Sequence, residues 1–116
     1  MKRFFSLALS FALLSLLATT LLANRAASAD GPQQSTVEVK IDNFSFGPKE
    51  LRVPVGTTVT WTNRDDIPHT VVSNDGVFKS KVLDTDEKFS FTFRSAGAYP
   101  YFCSIHPKMT GKVIVQ

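Results

Sequence analysis

From position 36 onward, apolar and polar residues alternate in short runs. In TVEVKI (36–41), Val37, Val39 and Ile41 share one face, while Thr36, Glu38 and Lys40 share the other. Val59 and Trp61 alternate with threonines in TVTWTN (58–63), and Phe89, Phe91 and Phe93 line one side of KFSFTF (88–93). GAYPYFC (97–103) sets Tyr99, Tyr101 and Cys103 on a common face, and GKVIVQ (111–116) closes the chain as another β-rich run. Alternation with period two describes strands that have one buried and one wet face. Turn chemistry separates the runs at Gly47-Pro48, Pro54 with Gly56, Asn74-Asp75-Gly76 and Ser95 to Gly97. Pro54 marks LRVPVG (51–56) as a strand end and turn, because proline cannot donate to a central ladder. After residue 29 no stretch has the periodicity of a substantial helix. The pattern predicts an all-β domain of about seven to eight strands in two packed sheets, a sandwich or a Greek-key barrel.

The first residues read differently. Met1-Lys2-Arg3 is basic, Phe4 to Ala23 carries no charge, and Ala27-Ser28-Ala29 has the small-x-small form of a secretory cleavage site. The expected division is a signal peptide over 1–29 and a mature domain over 30–116, opening on the polar, loose lead-in DGPQQS (30–35). An uncleaved anchor is the alternative, since about 20 apolar residues span a bilayer. Lys2, Arg3 and Arg25 account for the whole excess of 13 Lys and Arg over 10 Asp and Glu. The mature part is therefore close to neutral, and the basic pI of 9.2 is no sign of nucleic-acid binding. Export implies an oxidising compartment, where the single Cys103 has no disulfide partner in the chain. It is either a small buried hydrophobe or a metal ligand.

Cys103, His106 and Met109 form a C-x2-H-x2-M arrangement after one strand, and the second histidine, His69, stands in a separate loop. Two imidazoles, a thiolate and a thioether match the donor set of a blue copper site. Structural zinc takes Cys and His four at a time, and magnesium and calcium need oxygen donors. Taken singly, a loop histidine is usually solvated and a methionine usually fills a core gap. Their convergence with a lone cysteine in an exported β-domain favours one copper ion cycling between Cu(I) and Cu(II).

The stretches VTWTNRDDIPHTV (59–71) and GAYPYFCSIHPKMTGKVIV (97–115) resemble the cupredoxins, the small blue copper proteins, and among them the amicyanin group. The resemblance implies a Greek-key β-sandwich, copper held by His69, Cys103, His106 and axial Met109, and a monomeric periplasmic electron shuttle that is not an enzyme. It implies a donor dehydrogenase and a c-type cytochrome or oxidase acceptor as redox partners, and no membrane span after cleavage. It also implies that the edge of the His106 ring is the electron port. Ile105, Pro107 and Pro68 are either a docking patch around it or ordinary loop packing, and Lys108, Lys112 and Arg64 are charges nearby or merely solvated. One residue departs from the group: Thr70 stands where an asparagine commonly follows the first ligand histidine. The expectation is that the amide contacts locking the ligand loops are lost, while the Thr70 N–H can still reach the Cys103 sulfur.

Rival classes are a copper-binding scavenger without a dedicated electron partner, a multi-copper enzyme, and a copper-free adhesive sandwich. The mature chain has too few His and Met residues for a second copper centre or a methionine-rich transfer site.

Overall fold

The computed structural model describes residues 35–116. The expected leader over 1–29 and the lead-in over 30–34 lie outside the described residues. Ser35, expected to be loose, is tied down: its carbonyl accepts from Thr58 N–H at 2.9 Å, and its hydroxyl pairs with Thr57 Oγ1 at 3.2 Å.

Eight strands follow in order, with no helix among the described residues: β1 (Thr36–Asp42), β2 (Ser45–Gly47), β3 (Glu50–Val53), β4 (Thr58–Asn63), β5 (Val72–Ser73), β6 (Lys88–Thr92), β7 (Gly97–Phe102) and β8 (Thr110–Val115). They form two four-stranded sheets, ordered β2-β1-β4-β6 and β3-β8-β7-β5. The β1–β4 and β3–β8 pairs are parallel, and the rest are antiparallel. β3 ends at Val53, immediately before Pro54, as the missing N–H requires.

The alternating faces meet as expected. Val39 and Ile41 of β1 and Val59 and Trp61 of β4 face Val53, Tyr101, Val113 and Val115 from the other sheet, all buried. Trp61 is the hub. It stacks on Phe78 at 5.5 Å and meets Tyr101 edge-on at 5.4 Å, with Phe89 and Phe93 around it. Burying such rings against one another is the largest apolar contribution a domain of this size can make.

Because β1 and β4 run parallel, both arrive at the same end of the sandwich. The β1–β2 turn, the loop after β4 and the β7–β8 connection meet there, and all the candidate ligands lie in that cluster.

Candidate metal centre

The loop after β4 is shaped by Asn63, which is fully buried and fully satisfied. Its Nδ2 donates to the carbonyls of Ile67 and Leu83, both at 2.9 Å, and its Oδ1 accepts from Asp65 N–H at 2.9 Å. Beyond it, His69 and Leu83 exchange backbone hydrogen bonds of 3.1 and 2.8 Å. A loop that turns on a buried amide and ends in a two-bond bridge leaves the His69 backbone little freedom.

Cys103 follows β7 directly. The connection to β8 is closed by Cys103 N–H donating to Met109 carbonyl at 3.0 Å and Met109 N–H donating to His106 carbonyl at 2.8 Å. These two bonds curl the loop so that Cys103, His106 and Met109 stand close together. Cys103 and Met109 are buried, and His106 is partly exposed.

The two loops bring three donor atoms together. Cys103 Sγ lies 3.7 Å from His69 Nδ1 and 3.8 Å from His106 Nδ1, and all three fall within 4.8 Å of one another. That spacing lets one ion bond all three at the usual ~2.0–2.3 Å of metal–nitrogen and metal–sulfur bonds. The chemistry also fits: soft sulfur and borderline imidazole suit a metal that works in both the +1 and +2 states. Burial works against the Cys103 thiolate, but the Thr70 N–H, the two imidazoles and the His106 backbone outweigh it and lower the thiol to about 6. The thiolate form that a metal requires is thus already favoured.

Thr70 brings no side-chain amide, and its N–H reaches the sulfur as expected, but its hydroxyl supplies a tie between the loops that was not expected. Its N–H reaches Cys103 Sγ at 3.4 Å, its hydroxyl oxygen accepts from Ser104 N–H at 2.7 Å, and it pairs with Ser104 Oγ at 2.7 Å. The hydroxyl also stands 3.8 Å from the sulfur. A shorter side chain than asparagine therefore still ties the loops together, with Ser104 completing the tie.

Two neighbours were not singled out in the sequence. Asp65, buried, accepts a hydrogen bond from His69 Nε2 at 2.7 Å. Phe44, 54% exposed in the β1–β2 turn, stands edge-on to the rings of His106 and His69 at 5.1 and 5.8 Å. Around them Ile105, Pro107 and Pro68 are exposed. Arg64 is paired with Asp86 at 2.8 Å, so its charge is already matched, whereas Lys108 borders a shallow cleft of about 230 Å³ with Met109 and Phe44. Lys112 sits in β8, opposite Glu50 and Pro100 on its two neighbouring strands.

A two-sheet sandwich with a His-Cys-His cluster between the loops at one end, its His69 and Cys103 buried and its His106 partly exposed, defines a small metalloprotein of the blue copper class. The chain belongs to the family of the cupredoxin-like domain, whose pattern it matches over residues 11–115. It is 40% identical to amicyanin-alpha of Methylorubrum extorquens across 96% of this chain and 98% of that protein. It is 39% identical to the amicyanin of Paracoccus denitrificans across 76% of this chain and 68% of that protein. Among solved structures, a purple cupredoxin from Nitrosopumilus maritimus aligns with a TM-score of 0.65 at 37% identity, over 69% of this chain and 99% of that one. A reduced amicyanin variant aligns with a TM-score of 0.67 at 36% identity, over 76% of this chain and 88% of that one.

Proposed function

We propose that the chain is a periplasmic blue copper protein that carries single electrons between redox proteins and is not an enzyme. His69, Cys103 and His106 would hold the ion, with Met109 beside them in the same loop as Cys103 and His106. Residues 30–116 form the working domain, exported by the leader over 1–29. The reading is carried by the convergence of His69 Nδ1, Cys103 Sγ and His106 Nδ1 within 4.8 Å of one another at the loop end.

Bound copper supplies a one-electron Cu(II)/Cu(I) couple. The rest is the protein's work. The bridge to Leu83 and the Cys103–Met109 closure hold the donors in one arrangement, so little rearrangement accompanies a change of charge between them. Thr70 N–H stabilises charge on the sulfur. Cys103 and His69 are fully buried, which keeps water from the sulfur, while His106 reaches the surface amid the exposed Ile105, Pro107 and Phe44. A small apolar rim around one partly exposed ring suits brief encounters, in which release must be quick. The partners would be a donor dehydrogenase and a c-type cytochrome or oxidase acceptor.

Scavenging, the alternative, calls for donors that can pass an ion onward. Full burial of two of the three converging donors argues against it.

The test is addition of Cu(II) to the purified protein. An intense visible band from thiolate-to-copper charge transfer, absent from Cys103→Ser and reversibly bleached by a one-electron reductant, is expected. A protein that binds copper without that band, or stays colourless, would sink the reading.

A further inference from the structure

Asp65 makes contacts that neither the copper assignment nor the fold accounts for. Its carboxylate is buried, yet it takes three hydrogen bonds from two parts of the chain. Oδ1 accepts from Asn43 N–H at 2.7 Å, and Oδ2 accepts from Phe44 N–H at 3.0 Å and from His69 Nε2 at 2.7 Å. Asn43 and Phe44 form the two-residue turn between β1 and β2, with Asp42 paired to Ser45. Both are left-handed, at φ 51° and 56°. A hairpin turn of this kind normally takes Asn-Gly or a similar pair, and a phenylalanine there is strained. Strain of this sort persists only where the surroundings fix it. Here the fixing group is a carboxylate aimed at both turn amides.

We propose that Asp65 is a positioning residue that couples the β1–β2 turn to the metal site, aiming His69 Nδ1 at Cys103 and stationing the exposed Phe44 ring against both imidazoles. The inference rests on the copper reading for its purpose, though not for its geometry. An ionised carboxylate can only accept hydrogen bonds, so His69 Nε2 must carry the proton. The lone pair is then left on Nδ1, the atom 3.7 Å from Cys103 Sγ. One side chain thus selects the ring nitrogen that binds and the direction in which it points. The same carboxylate draws the turn inward, so that Phe44 lies 5.1 Å from His106 and 5.8 Å from His69 while keeping half its surface exposed. Any partner that reaches the His106 edge meets Phe44 beside it.

The experiment compares wild type with Asp65→Ala and Asp65→Asn as full-length, Cu(I)-loaded proteins, using NMR and voltammetry, with Trp61 fluorescence as the check on folding. In wild type a slowly exchanging, low-field His69 Nε2–H proton is expected. In Asp65→Ala that proton and the Asn43 and Phe44 amides should exchange at least ~10-fold faster, and copper should bind roughly 10–100-fold more weakly. Loss of a negative charge beside a copper ligand should also raise the reduction potential. Should Asp65→Ala fail to fold, Asp65→Asn carries the test, because it preserves the shape but sets an NH2 group against one of three donors. If wild type lacks the Nε2–H proton, or if a folded variant keeps wild-type exchange at residues 43 and 44 or an unshifted potential, the inference falls. If wild type gains no blue colour with copper, the functional reading fails instead.

Discussion

At Thr70 one hydroxyl joins two loops. It accepts from Ser104 N–H and pairs with Ser104 Oγ, both at 2.7 Å, beside a sulfur that also receives the Thr70 N–H. Thr70→Val keeps the size and the backbone donor but leaves Ser104 N–H without its acceptor. The expected loss is about 1 kcal/mol of stability, the usual net contribution of a part-buried hydrogen bond. Removing a hydroxyl 3.8 Å from the sulfur should also make the thiolate a stronger donor, favour Cu(II) and lower the potential. Thr70→Ser should restore both values. Thermal melts and voltammetry of the two variants check this, and an unchanged melting point in Thr70→Val would show that the hydroxyl does not bridge. The convergence of His69, Cys103 and His106 was readable as a candidate because Cys, His and Met are rare in the chain, so three of them within seven positions stood out. Asp65 was not readable. Asp65 and Asp66 are adjacent and chemically alike, and only the Asn63-centred loop decides which one turns inward.

Among the elements, the strands with several alternating residues were legible: β1, β4, β6, β7 and β8 all lie where the period-two runs place them. β2 and β5 have three and two residues, too few for any periodicity to register. The β1–β2 turn was hidden for a different reason. Asn43-Phe44 lacks the glycine that would announce a tight hairpin, because the conformation is imposed by a partner distant in sequence. That has a measurable consequence. In a left-handed position glycine is unstrained and alanine is not, so Phe44→Gly should be more stable than Phe44→Ala by about 1 kcal/mol. In an ordinary strand the order would be reversed, since glycine gives up more conformational freedom there than alanine. Denaturant midpoints of the two variants decide the matter. Alanine equal to or better than glycine would mean that the turn relaxes out of this conformation once the ring is gone.

In the whole molecule, the copper end and the core share one strand. Tyr101 precedes Cys103 by two residues, packs on Phe46 at 4.7 Å and on Trp61 at 5.4 Å, and lies across from Gly111 in β8. A Cβ at 111 would run into the Tyr101 ring, so the glycine makes room for the aromatic that seals the core beneath the site. Gly111→Ala should therefore lose about 1–3 kcal/mol through overpacking and shift the copper band, because the displaced strand carries Cys103. A melt and a visible spectrum of the variant test both effects. Tyr101 also sets an alkaline limit. Among the described residues, its hydroxyl and the Trp61 indole N–H are buried without a hydrogen-bond partner. Burial pushes the phenol from 10.0 up to about 12, only partly offset by the nearby indole. Raising the pKa of an acid on folding means that stability from this group is complete below pH 10 and declines as pH rises towards 12. Between those limits the unfolded chain releases the proton and the folded one keeps it. At pH 11 the loss should be about 1 kcal/mol relative to pH 8. Tyr101→Phe should remove that part of the decline and be no less stable than wild type at pH 8, because the deleted hydroxyl has no partner to lose among the described residues. Urea midpoints of the two proteins at pH 8 and pH 11 give the comparison, and parallel declines would show that some other group sets the alkaline limit.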